Sequence, residues 1–200
     1  MHFHFTLTPA LDLMLSVICM YYGLRLVQRG IDMMAVGYLM ISGAAFTGVF
    51  HLGGLMEFRW IHDFLSAMSQ LVGTVAIGLG ILAAVMRQRD QRYGAYSLAV
   101  FGPVAMYYFY EIERGPLVGL SIWAGTVFLT GWLSLAWQLI LAKKLRYVVI
   151  GFAALAIAAC GALMEGRISP ISLLHPVDYL HIALMIALTT IYHVVTLSRE

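Results

Sequence analysis

Apolar residues in this chain come in long unbroken runs, set apart by short polar stretches, and not in the two-residue alternation of half-buried strands. The runs predict seven helices, at about 8–28, 33–52, 62–86, 93–111, 116–142, 147–164 and 176–197. Each approaches or exceeds the ~20 residues that an α-helix needs to cross a bilayer. The connections are short: "QRGID", "GGLMEFRWI", "RQRDQR", "EIERG", "KKLR" and "EGRISPISLLH". They leave no room for a linker or a second domain, and no internal repeat of the transporter kind is visible. The expected fold is all-α: one polytopic membrane bundle of seven transmembrane helices spanning residues 1–200.

Composition agrees with this pattern. Apolar residues make up 62% of the chain and charged residues 11%, with a mean hydropathy of +0.87. A soluble domain of this length carries far more charge. The net charge of +2 and the lack of a basic tract give no sign of nucleic-acid binding. Cys19 and Cys160 fall within separate runs and read as small packing residues. The opening "MHFHFTLTPALDL" has neither a basic leader nor a small-residue cleavage motif, so the first run is expected to be a retained helix.

Basic residues give the bundle a direction. The first, third and fifth connections and the carboxyl tail hold Arg25, Arg29, Arg87, Arg89, Arg92, Lys143, Lys144, Arg146 and Arg199. The other connections hold Arg59, Arg114 and Arg167. Nine against three predicts an outer amino terminus and a cytoplasmic carboxyl terminus. His2, His4, His51, His62, His175 and His181 then lie towards the outer side, and His193 at the inner end.

Ionisable groups at membrane depth are costly, and they usually face a bundle interior. The stretch "LLHPVDYLHIAL" opens the last run with His175, Asp178 and His181. Asp178 and His181 lie about 60° apart on one helical face, and Pro176 suits a first helical position. Thr47 and His51 share a face at the end of the second run. Asp63, Ser66 and Gln70 form a polar stripe roughly 10 Å long in the third. Asp12 and Ser16 stand one turn apart in the first. Asp12, Asp63, Asp178 and His181 are therefore expected to face inward.

Plainer roles compete at several of these positions. His51 and His62 flank a short connection, where interfacial histidines are common. Asp12 suits the positive end of a helix. His2, His4, Glu57, Glu111 and Glu113 read as solvated terminal or loop groups. The Asp178–His181 pair resists such a reading, because two polar groups in a membrane helix are an expensive way to hold one loop. Imidazole and carboxylate ligands gathered from several helices suit a divalent ion such as zinc. The expected ligands are His51, Asp178 and His181, with Asp63 as their outer partner or as a general base.

These residues resemble the CREST superfamily of seven-helix membrane proteins, which includes alkaline ceramidases and the progestin and adipoQ receptors. The resemblance rests on the topology and on few motif residues. Thr47 matches a serine four residues before a histidine, His51 the first metal ligand, and Asp63 an aspartate that opens the third span. His181 matches one histidine of an HxxxH motif in the seventh span. Positions 177 and 185 are Val and Met, so Asp178 or His175 would replace the other. The acid-x-x-His opening of that span and the Asp in the first are most similar to bacterial members. The resemblance implies a zinc-dependent hydrolase of a lipid amide or ester in the bacterial inner membrane, with Asp63 and Thr47 in catalysis.

Two classes of function are open to such a chain. In the first, a metal-activated water attacks a membrane lipid at an outer-leaflet site. In the second, the chain is a non-enzymatic subunit that binds metal or haem, or a structural partner in a membrane assembly or homo-oligomer. His51 and His181 would then be candidate axial haem ligands. A rhodopsin-like Schiff base is excluded, since the seventh run has no lysine.

Overall fold

The computed structural model describes residues 7–87, 91–111, 117–164 and 176–199. His2, His4, Arg89, Glu113, Arg114, Glu165, Arg167 and His175 lie outside them. Seven helices account for nearly all of the described residues, and no strand is among these. They are α1 (Thr8–Gln28), α2 (Asp32–Leu52), α3 (Met56–Val85), α4 (Arg92–Glu111), α5 (Leu117–Leu141), α6 (Leu145–Met164) and α7 (Pro176–Arg199). Apart from the start of α3, which comes earlier than the run it belongs to, the runs of the sequence become helices within about three residues at their described ends.

The ends are set locally. Pro9 stands in the first turn of α1, and Pro176 begins α7, where the missing N–H is not needed. Gly30, with φ of +68°, turns the chain from α1 into α2. α3 is not uniform. A 3-10 turn at Met56–Phe58 leads into Arg59–Met68, a π turn spans Ser69–Gly73, and Thr74–Val85 completes the run.

α1, α2, α3 and α7, and equally α5 and α6, are held by side-by-side contacts: α1 on α2, α2 on α3, α3 on α5, α5 on α6, α6 on α7 and α7 back on α1. The six form a closed ring, and α4 leans on it through α2 and α3. Glycine permits the tightest approaches. A Cβ at Gly37 would sit 2.6 Å from the carbonyl oxygen of Gly73, and one at Gly131 would strike the carbonyl of Gly78. Close backbone contact of this kind replaces the hydrophobic drive that helices lack in lipid. The main core lies around Leu26, Ile31, Met34, Tyr38, Ile81, Trp132, Leu135, Ile191 and Val195, none of them accessible beyond 2%.

The outer surface is apolar. Val17, Val100, Trp123 and Trp137 are each more than 60% exposed, which water would not tolerate over so wide an area. Among the described residues, five helices are long and apolar enough to cross a membrane: α1, α2, α3, and the greater parts of α5 and α7. These features are those of an integral membrane protein. Contacts also fix a relative direction. Thr8 meets Asp178, Asp12 meets His181 and Tyr22 stacks on Tyr192, so α1 and α7 run parallel.

Candidate functional site

α1 carries Thr8, Asp12 and Ser16 one turn apart, and all three are buried. Such a stripe in an apolar helix must find partners, because an unpaired polar group in hydrocarbon costs several kcal/mol, roughly 2–7 by transfer measurements. The three groups find them on two neighbours. Thr8 Oγ1 donates to Asp178 Oδ1 at 2.6 Å. One turn on, Asp12 Oδ1 stands 3.0 Å from His181 Nε2. Ser16 Oγ donates to the carbonyl of Ser42 at 3.0 Å, and Ser42 Oγ donates to that of Ser16 at 2.9 Å. The acid-x-x-His opening of α7 therefore reads directly onto the four-residue spacing of α1. Its polar groups form rungs between two parallel helices.

The rungs leave valences open. Asp12 Oδ2 and His181 Nδ1 are buried and have no hydrogen-bond partner among the described residues. Both residues are nearly inaccessible, with side chains 2% and 13% exposed. Beside them opens a cavity of about 710 Å³ lined by Asp12, His62, Asp63, Ser66, Gln70 and His181 on its polar side. Leu15, Ile41, Leu180 and Leu184 close its apolar side. The stripe expected on α3 does face this space, and the π turn at Ser69–Gly73 gives Ser69 and Gln70 to its wall. A π turn adds a residue to one turn and rotates the rest of the helix, a distortion often found at functional sites.

α2 contributes through a residue with no side chain. A Cβ at Gly48 would collide with Oδ2 of Asp12 and come within 3.1 Å of Cε1 of His62. The bare glycine lets a carboxylate from α1 and an imidazole from α3 approach across the α2 surface. His62 Nδ1 lies 3.2 Å from the carbonyl oxygen of Ala44. A carbonyl can only accept, so Nδ1 carries a proton and donates to it.

The other expected site residues are placed differently. His51 lies against His62, with ring centroids 5.4 Å apart, and its Nδ1 is buried without a partner among the described residues. Thr47 Oγ1 donates back to the carbonyls of Ala44 and Gly43, at 2.9 and 3.2 Å, so its hydroxyl belongs to its own helix. Asp63 faces the cavity, inward as expected, but its side chain is 43% exposed and stands 3.7 Å from Arg59 one turn earlier. It lines the cavity from an accessible position.

His51, Asp178 and His181 thus sit in three separate contacts, with His62, Thr8 and Asp12 respectively. Among the described residues, no group of three or more His, Cys, Asp or Glu is close enough to hold a metal ion. The trio does not fit a zinc ion in this arrangement.

Sequence reasoning left Thr8, Gly48 and His62 out of the site. Thr8 precedes Asp12 by one helical turn, and His62 precedes Ser66 by the same spacing, so both had a signal. Gly48 had none, because only the packed neighbour reveals the need for a missing Cβ. No family model, curated protein or solved structure matches the chain.

Proposed function

We propose that the chain is a membrane hydrolase that admits a lipid head group to the cavity between α1, α3 and α7 and cleaves an amide or ester bond there. Seven membrane crossings, with the amino terminus outside, place this cavity in the outer leaflet. The parallel course of α1 and α7 supports an odd number of crossings, and the basic residues gathered at the opposite end support the direction.

The observation that carries the reading is a polar chamber walled by two acids and two imidazoles inside an otherwise apolar bundle. Polar groups at this depth are retained at a cost and usually act on something. Asp63 is the accessible carboxylate and the natural general base. In the proposed reaction a water gives its proton to Asp63 as its oxygen attacks the acyl carbon. The carbon–nitrogen or carbon–oxygen bond then breaks, and the proton passes to the departing amine or alkoxide. The products are a fatty acid and the amine or alcohol to which it was joined. His181, held at Nε2 by Asp12, is a fixed polar wall beside the reacting carbonyl.

Purified protein in detergent, given amide- and ester-linked lipids, tests this through release of fatty acid. The expected result is turnover by the wild type and a loss of about 10²–10⁴-fold in Asp63→Asn. Absence of release from every lipid class sinks the reading. An intense visible haem band on the purified protein would assign His51 or His181 to a haem instead, and bound zinc at one per chain would reopen the ligand question.

A further inference from the structure

α3 has two faces, and only one of them is spent on the polar chamber. His62, Asp63, Ser66 and Gln70 line the chamber. Leu71, Val72 and Val75 line a second space, an apolar groove of about 440 Å³ shared with α4 and α5. Phe101 and Met106 border it from α4, and Trp123 from α5. Apart from Ser97, no hydroxyl, amide or ionisable side chain is among its described lining residues. The groove exists because α4 rests on α2 and α3 and, among the described residues, makes little contact with α5. Gly102 lets α4 close on α3, since a Cβ there would lie 2.7 Å from Cγ1 of Val72.

Groove and chamber share a wall. The π turn at Ser69–Gly73 gives Ser69 and Gln70 to the chamber and Leu71 and Val72 to the groove. A small apolar cluster continues that wall. Met68, Leu71, Met106 and Ala124 are its buried members, and Met40 and Ala67 pack against them. Ala67 also lines the chamber, so the cluster reaches from one cavity to the other. Three of its side chains are methionines, which are unbranched and change shape more readily than other core residues.

Lining and rim say what fits the groove. Its volume falls within the roughly 300–1,000 Å³ of small-molecule sites, and its walls offer a polar ligand almost nothing. A neighbouring transmembrane helix does not fit within it. Such a helix is about 10–12 Å across and would need roughly twice this volume for every two turns of its length. Helices in membranes also meet through small residues, whereas this rim carries Phe101 and Trp123, 69% and 71% exposed. A lipid acyl chain is thin, flexible and wholly apolar. We propose that the groove seats one acyl chain, that of the lipid whose head group enters the chamber; the second half of this statement rests on the hydrolysis proposed above. The methionine cluster is then the yielding wall between the tail and the bond that is cleaved.

The full chain in detergent is given palmitic acid, and the fatty acid retained by each chain is counted by native mass spectrometry. Ser97→Phe/Ala105→Phe fills the groove from two exposed positions on α4. Val100→Phe/Val104→Phe adds similar bulk at exposed positions of α4 that do not line it. Wild type and the second variant should each retain a single palmitic acid, and the filled variant at least tenfold less. Ala105→Leu alone is a milder filling that keeps the test open if the double variant does not fold, and its retention should be intermediate. A second arm compares hydrolysis of palmitoyl and octanoyl lipids. Wild type should prefer palmitoyl in kcat/KM, and the filled variants should lose that preference. Retention that is equal in wild type and filled variants overturns the groove as an acyl site, whatever the turnover. Groove-dependent retention with no turnover of any lipid supports the acyl site and sinks the hydrolase reading alone. A palmitoyl preference that survives filling overturns the link between this chain and the reaction.

Discussion

Nε2 of His181 on α7 stands 3.0 Å from Oδ1 of Asp12 on α1, with both side chains withdrawn from solvent. This contact ties the first helix of the bundle to the last. Removing one partner leaves a buried polar group without its counterpart, which costs about 3–5 kcal/mol in comparable pairs. Asp12→Ala and His181→Ala should each lower the melting temperature of the detergent-solubilised protein. The double variant should lose less than the two single losses added together, by a coupling of about 0.5–3 kcal/mol. Additive losses would mean that the two side chains do not share an interaction.

The neighbouring rung is weaker. Thr8 donates to the Asp178 carboxylate at 2.6 Å, and a hydrogen bond to a charged acceptor contributes about 1.5–3 kcal/mol. Asp178 has a further interaction besides Thr8, so Thr8→Val does not strand the acid and should fall at the low end of that range. Thr8→Ser keeps the hydroxyl and should restore most of the loss in chemical denaturation. A Thr8→Ser variant no better than Thr8→Val would deny the hydrogen bond its role.

Thr47 and Asp63 part company in a way that assays can read. The Thr47 hydroxyl is spent on the carbonyls of Ala44 and Gly43 in its own helix. Thr47→Val should therefore change stability by no more than about 0.5 kcal/mol and leave any lipid hydrolysis near the wild-type rate. Asp63 is accessible and stands 3.7 Å from an exposed arginine, an arrangement worth about 0–1 kcal/mol. Asp63→Asn should fold and melt like wild type while losing turnover. Loss of turnover in Thr47→Val would return that hydroxyl to the reaction.

How far the sequence anticipated this arrangement depends on what each signal encodes. The length of an apolar run fixes a membrane helix almost by itself, and so α1 and α2 begin and end where the runs do. Helical spacing also shows which residues share a face, as Asp178 and His181 do. It does not show what lies opposite. The sequence placed Asp178 and His181 together with His51, but α7 lies beside α1, so Thr8 and Asp12 meet them instead. Asp63 was expected inside because it sits in an apolar run. It does face the cavity, but its 43% exposure comes from the openness of that end of α3, which is a property of the packed bundle. The π turn at Ser69–Gly73 likewise leaves no mark in local composition.

Two glycines of α2 make the sharpest test of the cavity wall. Nothing lies within 4 Å of a Cβ built at Gly43, whereas one built at Gly48 collides with Asp12 Oδ2 and approaches His62 Cε1 at 3.1 Å. Alanine in a helix is favoured over glycine by about 0.5–1 kcal/mol when its methyl group meets no obstacle. Gly43→Ala should therefore be neutral or raise the melting temperature. Gly48→Ala gains the same propensity but must displace the Asp12 carboxylate or part α1 from α2. The reciprocal Ser16–Ser42 hydrogen bonds one turn deeper, at 3.0 and 2.9 Å, resist that parting. The carboxylate is thus what yields, and in yielding it leaves His181. Gly48→Ala should be less stable than wild type, and adding Asp12→Ala should cost little more, because the contact is already lost. Melting curves of the four proteins check this; a Gly48→Ala variant as stable as Gly43→Ala would mean that Asp12 does not stand against α2.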